Sequence, residues 1–309
     1  MLSRDELLST RPLQRLAVPG LTTDSGKVRD SVRIDDRRLI VTTDRVSAFD
    51  RVLGAIPYKG QVLNQLSAWW FERTADIVPN HLVRVVDPNA MLVREAQTLP
   101  VEVIVRGFIT GVTATSLWTL YAAGERRPYG IQLPDGLQRD DRLPTPIITP
   151  TTKGTAGAHD ERLTRDQVIS RGLVEPELWE RVERVALALF ERGQAISHSA
   201  GLTLVDTKYE FGLIDGELAL IDECHTPDSS RFWDSDKSHY DKEFLRRWFA
   251  DRGYRGEGSA PSMPDEFVAE VARRYIAVLE RLSQTPFVPG PAPADQRVAQ
   301  VVTELSRAP

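Results

Sequence analysis

The stretch Leu202-Thr203-Leu204-Val205-Asp206-Thr207-Lys208-Tyr209-Glu210-Phe211-Gly212, then Asp215-Gly216, then Glu217-Leu218-Ala219-Leu220-Ile221-Asp222-Glu223, decides the fold. Its period is two. Residues i, i+2 and i+4 of a strand share a face, so Asp206, Lys208 and Glu210 line one side while Tyr209 and Phe211 line the other. Asp-Gly accepts the positive φ angles of a tight turn, which makes the segment a hairpin. Two acids flanking a lysine on one face are costly unless a ligand or metal compensates them. Hard carboxylate oxygens of this kind suit Mg²⁺ carried by nucleotide phosphates. Register then decides which further acid joins them. A two-residue turn at Asp215-Gly216 puts Glu223 on that face opposite Lys208, whereas a three-residue loop ending in a bulge at Gly216 puts Asp222 there, and both stay open. A solvated surface hairpin with alternating charges is the competing reading.

Working outward, residues 167–200 form a strong helical pattern, densest over 178–195. Strands are expected at 81–86, 91–95 and 101–107. The run Val101-Glu102-Val103-Ile104-Val105-Arg106 is rich enough in β-branched residues to be central in a sheet. Val62, Leu63, Leu66, Trp69 and Trp70 have helical spacing within 60–73. Runs at 27–34 and 38–43 around Asp35-Asp36 read as an antiparallel meander, and residues 5–16 as a short helix closed by Pro19-Gly20. The segment 124–150 holds five prolines and reads as loop. Beyond the hairpin, helices are expected at 242–250 and 265–282, then a Pro-rich linker at 286–293 and a last helix at 295–306. Strands first, then mixed helices and strands, predict an α+β protein of two lobes. The expected boundaries are 1–100, 101–285 and 286–309.

Composition narrows the functional classes. The chain has 309 residues, 41% hydrophobic and 27% charged, ordinary for a soluble globular protein. No apolar run approaches the roughly 18 residues a membrane helix needs. Acids at Asp5 and Glu6 stand where a signal peptide needs a basic region, and the lone Cys224 has no internal disulfide partner, so a reducing, cytoplasmic setting is expected. The net charge of −5, without a basic run, disfavours nucleic-acid binding. The expected partners are small anionic molecules held where cations gather in a cleft, with the chain monomeric or homo-oligomeric. Against 33 arginines there are six lysines, and four of them, Lys27, Lys59, Lys153 and Lys208, fall in Gly- or acid-rich segments. Such scarcity suggests lysine is kept where a compact ammonium is wanted.

Several segments carry chemistry. Ser25-Gly26-Lys27-Val28-Arg29-Asp30 joins a glycine, which lets amides approach phosphate, to two cations, without Walker or dinucleotide spacing. Thr43-Asp44-Arg45-Val46-Ser47-Ala48-Phe49-Asp50 and Pro57-Tyr58-Lys59-Gly60 form a polar loop after a strand. Arg106-Gly107-Phe108-Ile109-Thr110-Gly111, with Ser116 nearby, reads as an anion clamp, because guanidinium meets phosphate in a two-pronged fork. Thr226-Pro227-Asp228-Ser229-Ser230-Arg231-Phe232-Trp233 offers groups for sugar hydroxyls and a phosphate, and Thr151 to Asp160 is a small-residue loop of lid type. Capped turns and solvated loops are the plain alternatives.

Taken in order, these segments over residues 20–240 resemble the SAICAR synthetase family of purine biosynthesis. The resemblance implies a small antiparallel-sheet lobe joined to a larger α+β lobe, similar to ATP-grasp and kinase-like enzymes. It implies a ligase that uses ATP to phosphorylate the carboxylate of carboxyaminoimidazole ribonucleotide (CAIR) and lets the amine of L-aspartate displace the phosphate. ATP and Mg²⁺ are the implied cofactors. Gly26, Lys27, Arg29, Glu102 and Lys208 would serve ATP, and Glu210 with Asp222 would bind the metal, a choice that favours the three-residue hairpin loop. Arg106, Ser116, Ser230 and Arg231 would hold the nucleotide's 5′-phosphate and Asp228 its ribose. Ser47, Asp50, Lys153, His159 and Asp160 would receive aspartate, with Lys208, Asp44 and Lys153 at the reacting centre. Two rival classes remain. A small-molecule kinase would need a catalytic aspartate aimed at a hydroxyl, and a nucleotide-binding scaffold would bind ATP without Mg²⁺-dependent turnover.

Overall fold

The computed structural model describes residues 2–153 and 160–307. In chain order they form α1 (Arg4–Ser9), β1 (Asp24–Ser25), β2 (Arg29–Ile34), β3 (Arg37–Thr42), β4 (Arg45–Ala48), β5 (Arg51–Ala55), α2 (Lys59–Arg73), β6 (Leu82–Asp87), β7 (Ala90–Arg94), β8 (Gln97–Ile109) and α3 (Leu117–Ala122). The chain continues with β9 (Asp141–Thr152), α4 (Arg165–Ser170), α5 (Pro176–Ser199), β10 (Thr203–Ile214), β11 (Glu217–Ile221), β12 (Ser230–Trp233), α6 (Lys242–Ala250), α7 (Asp265–Ser283) and α8 (Ala294–Arg307).

Two antiparallel sheets organise these elements. The first has the order β1-β2-β3-β7-β6. The second has the order β11-β10-β8-β9, with β12 also pairing with β10. β8 and β10 are thus interior strands, the former as its β-branched run predicts. The segment before β6 stitches the sheets together: Leu220 donates its amide to Pro79, and His81 donates its amide to Leu220. One hydrophobic core, including Trp70, Trp179, Tyr209, Phe211 and Phe232, runs beneath both sheets. Helix α5 buries Trp179, Val182, Ala186, Leu189 and Phe190, a 3–4 spacing that turns one stripe inward onto β10.

Three sequence expectations change for identifiable reasons. The helix expected over 5–16 ends at Ser9, because Pro12 has no N–H to continue it. Leu13 and Leu16 instead run extended into a second core with Val32, Leu39 and Val41. Val298 and Val302 of α8 complete that core, so the C-terminal helix packs on the first sheet. The loop expected over 124–150 ends in the long strand β9, which tolerates its prolines because it is an edge. Pro150 shows how: its carbonyl accepts from the Leu163 amide outside the sheet, so its nitrogen faces away from the ladder. The helix expected over 167–200 is two helices, parted by Gly172 at φ 65° and restarted by Pro176 at the first helical position.

Candidate active site

The hairpin settles its own register. Ile214 pairs with Glu217, and Asp215 and Gly216 both have positive φ, at 53° and 81°, so the turn has two residues. The three-residue loop favoured by the family resemblance is therefore not present. Asp222 nevertheless reaches the site by another route. The ladder stops at the Glu210–Ile221 pair, and Asp222 adopts a left-handed φ of 68°, which breaks the strand alternation. Its carboxylate takes a bond of 2.5 Å from Arg29, while Glu223 accepts from the same guanidinium at 2.9 Å. Both acids that the sequence left as alternatives thus meet one arginine.

Glu102 on β8 lies directly opposite Glu210 on β10, and Lys208 lies between them on the same face. The Lys208 ammonium donates to Glu102 at 2.8 Å and to Glu210 at 2.5 Å, and Lys153 also bonds Glu210. Burial opposes the charged forms here. Lys208 and Lys153 outweigh it and hold the Glu210 carboxyl below the usual range, while Glu210 and Glu102 keep Lys208 protonated. Asp222 behaves oppositely. Burial, with Glu210 and Glu223 adding repulsion, pushes it up to about 6 against the pull of Arg29. Burial also raises Glu102, and exposed Asp160 adds to the effect, which locates Asp160 beside this cluster. Among the described residues no cluster of three or more His, Cys, Asp or Glu stands ready for a metal. Two repelling carboxylates, each now held by side-chain cations, nonetheless suit Mg²⁺, which commonly takes one or two protein carboxylates and completes its shell with phosphates and water.

The Gly26-Lys27 segment borders this centre from the first sheet. Arg45 fixes it, donating to the carbonyls of Gly26 at 3.0 Å and Lys27 at 3.2 Å and to buried Asp30 at 2.7 Å. Lys27 is exposed and pairs with Asp50. Asp50 itself belongs to a two-residue turn, Phe49-Asp50, that joins β4 to β5 with φ of 51° and 60°. Positive φ at two consecutive non-glycine residues is uncommon and marks a shaped site. Lys27, expected on the ATP side, and Asp50, expected at the aspartate pocket, are therefore in contact.

A second group lies four residues back along β10. Asp206 accepts from Arg231 at 2.5 Å and lies 3.5 Å from Arg106, which is steadied by Thr149 at 2.8 Å. Ser230 bonds Thr207 at 2.8 Å. Gly111, at φ 105°, keeps the neighbouring loop close: a Cβ there would meet Ser116 Cβ at 2.4 Å and an Arg231 nitrogen at 3.1 Å. Arg106, Ser116 and Arg231 therefore come together with Asp206 as the shared counter-charge, whereas Ser230 gives its hydroxyl to Thr207, which strand alternation puts on the other face of β10.

The third group joins Asp228, Lys59 and Ser47, which the sequence named, to Lys242 and Tyr275, which it did not single out. Asp228 accepts from Lys59 at 2.8 Å, from Lys242 at 3.5 Å and from Tyr275 at 2.7 Å. Lys242 also reaches Ser47 at 3.3 Å. For Lys242 and Tyr275, only the scarcity of lysine gave a signal. Asp44, expected at the reacting centre, is instead a brace: its two oxygens accept the buried amides of Leu13 at 2.6 Å and Gly60 at 2.8 Å. Burial pushes its carboxyl up to about 6 despite those amides and Lys59. His159 lies outside the described residues.

A family model for SAICAR synthetase matches residues 22–261. The putative phosphoribosylaminoimidazole-succinocarboxamide synthase 2 of Agrobacterium fabrum is 46% identical over 277 residues, which is 85% of this chain and 88% of that protein. The phosphoribosylaminoimidazole-succinocarboxamide synthase of Legionella pneumophila strain Lens is 46% identical over 289 residues, covering 88% of this chain and 92% of its own. The solved structure of SAICAR synthase from Saccharomyces cerevisiae complexed with SAICAR superposes with a TM-score of 0.79 at 31% identity, covering 90% of this chain and all of that one.

Proposed function

The chain belongs to the SAICAR synthetase family, and from that premise we propose how its three ion clusters divide the ligation of L-aspartate to CAIR. In that reaction ATP transfers its terminal phosphoryl group to a carboxylate oxygen, leaving ADP and an acyl phosphate. The neutral aspartate amine then attacks the carbonyl carbon, the C–O bond to phosphate breaks, and inorganic phosphate leaves as the nitrogen gives up a proton to it or to solvent. A carboxylate is a poor electrophile until one oxygen becomes phosphate, so the enzyme's task is positioning and charge neutralisation.

One observation carries the assignment of roles. A single strand, β10, bears both Asp206, centre of the Arg106–Arg231 clamp, and the Lys208–Glu210 pair, on one face. Along the strand Lys208 lies two residues, about 7 Å, from Asp206, and Glu210 four residues, about 13 Å. We assign the 5′-phosphate of CAIR to Arg106 and Arg231, with Ser116 alongside, and its reacting carboxylate to the neighbourhood of Lys208. Gly26, Lys27 and Arg29 would face the ATP phosphates across the cleft, with Glu102 at the inner edge. Glu210 and Asp222 would hold Mg²⁺, which when bound neutralises phosphate charge. Lys208 keeps its proton beside the transferring group, and Lys153, whose side chain is 43% exposed, is free to follow the substrate. Ser47 and Asp50 would border the space left for aspartate, and Asp228 would take the ribose of CAIR. No described helix is long and apolar enough to cross a membrane. A cytoplasmic enzyme acting on small molecules is the setting this reading supports.

The test is substrate dependence. ADP release should require CAIR and L-aspartate together, with SAICAR formed in equal amount. Turnover on a hydroxyl acceptor without aspartate would sink the ligase reading in favour of a kinase.

A further inference from the structure

The turn after β11 follows a path that its sequence alone would not choose. Asp222 and His225 both have left-handed φ, at 68° and 44°, within the four residues Asp222-Glu223-Cys224-His225, and no glycine or asparagine stands among them. Such conformations persist only where the surroundings impose them. On the catalytic face Arg29 holds Asp222 and Glu223, and Thr226 gives its hydroxyl to Glu223. Arg29, however, is the arginine that the proposed ligase reading turns to the ATP phosphates. The turn therefore needs a hold that does not change when nucleotide binds.

That hold lies behind the sheet. Tyr209 sits between Lys208 and Glu210 on β10, and strand alternation turns it to the opposite face. There its hydroxyl shares a hydrogen bond with Nε2 of His225, and both residues are fully buried. Two helices close around the imidazole. The ring of Trp70 from α2 meets it edge to face, with centroids 4.5 Å apart. Gly193 of α5 leaves it room, since a Cβ there would stand 2.4 Å from His225 Cε1 and 2.9 Å from its Nδ1. Nδ1 has no partner among the described residues, which leaves the Tyr209 bond to orient the ring. Burial pulls the imidazole down to about 3 and pushes the phenol up, so the bond joins two uncharged groups that an arriving anion does not draw away.

We infer that Tyr209 and His225 are positioning residues for the metal-binding acids, their bond behind β10 fixing the turn that presents Asp222 in front of it. The inference rests on the proposed assignment of Mg²⁺ to Glu210 and Asp222. One strand then sets both acids, Glu210 directly and Asp222 through the neighbouring Tyr209. The spacing of the two carboxylates is thereby tied to an uncharged, enclosed contact, whatever partners Arg29 and Lys153 take. Mg²⁺ needs such a tie, because it demands near-ideal octahedral geometry and tolerates little drift in its ligands.

The experiment is a titration of Mn²⁺, a hard cation that takes the same oxygen ligands as Mg²⁺, into the full chain with ADP bound, free Mn²⁺ being read by electron paramagnetic resonance. Tyr209→Phe removes one hydroxyl and keeps the packing. His225→Asn keeps a residue that accepts left-handed backbone but is too short to reach Tyr209. Both variants should raise the Mn²⁺ dissociation constant roughly 5- to 20-fold, the effect of losing a group that orients a metal ligand, with CAIR affinity by calorimetry within about twofold of wild type. Asp222→Asn should raise the constant as well. Adding Tyr209→Phe to Asp222→Asn should then change it no further, because the hydroxyl acts through that carboxylate. A Mn²⁺ constant within about twofold of wild type in Tyr209→Phe or in His225→Asn, an equal loss of CAIR affinity, or full additivity with Asp222→Asn would each overturn the positioning role. Wild-type Mn²⁺ affinity in both Asp222→Asn and Glu210→Gln would refute the metal assignment itself, whatever Tyr209→Phe does.

Discussion

Asp44 separates a bracing role from a catalytic one, and its burial makes the separation measurable. Replacing it by Ala removes both acceptors at once, stranding the amides of Leu13 and Gly60. Each unsatisfied buried donor costs about 1–3 kcal/mol. Against that, the variant is spared an ionised carboxylate in a dry site. Because the folded-state value is raised from 3.8 to about 6, Asp44 contributes stability that is fully present below about 4 and is lost as pH rises through 6. The cost of ionisation is about 3 kcal/mol at pH 7 and about 1.5 kcal/mol at pH 5. The stability deficit of Asp44→Ala should therefore be larger at pH 5 than at pH 7, by about 1.5 kcal/mol. With a urea m-value of about 3 kcal/mol/M, the gap between variant and wild-type midpoints should widen by about 0.5 M on acidification. Tryptophan fluorescence during urea unfolding at the two pH values reads this directly, and kcat at pH 7 should fall less than tenfold in the folded variant. A deficit that is equal at both pH values, together with a kcat loss beyond a hundredfold, would show that the carboxylate acts on substrate and that the bracing argument is wrong.

The division of the cleft predicts that Lys27→Ala raises chiefly the KM for ATP, and Arg231→Ala chiefly that for CAIR, each by about 2 kcal/mol in kcat/KM for the affected substrate; equal effects on both substrates would contradict the assignment. The metal assignment predicts that chelation of Mg²⁺ abolishes turnover, and that Glu210→Gln or Asp222→Asn raises the Mg²⁺ concentration needed for half-maximal rate at least tenfold. The same two variants with unaltered Mg²⁺ dependence would place the metal elsewhere.

What the sequence disclosed depended on how local each signal was. Strand alternation exposed the Asp206–Lys208–Glu210 face, because neighbours on one strand keep their relation whatever the tertiary fold does. The Asp-Gly turn gave the hairpin but not the position of Asp222, since counting residues across a hairpin assumes that the ladder continues. It stops at Ile221, and a left-handed residue then redirects the chain. The β4–β5 hairpin was hidden for a related reason: Phe49-Asp50 adopts positive φ without glycine or asparagine to announce it. Asp44 misled because a polar loop looks alike whether its carboxylate faces solvent, substrate or backbone amides. Lys59 and Lys242 begin two helices far apart in sequence, and only the tertiary fold brings them to one carboxylate.

Counter-charges connect these observations. Each buried acid of the cleft already carries its cation: Glu210 has Lys208 and Lys153, Asp222 and Glu223 have Arg29, Asp206 has Arg231, and Asp228 has Lys59. Such pairs add little stability, because desolvation offsets most of their attraction, and well-packed apolar residues would serve the fold as well. Their concentration along one face of β10 and the turns around it therefore argues for function. On the proposed reading, such a site would bind polyanionic substrates by partner exchange. Lysines and arginines would turn from protein carboxylates to phosphate, and the carboxylates they release would become available to a divalent cation. Lys153 is placed to make that exchange, being half exposed at one end of the Glu210 pair, whereas Lys208, held by Glu102 as well, is placed to stay. On this logic the mobile partner sets the KM for ATP and the fixed one sets kcat.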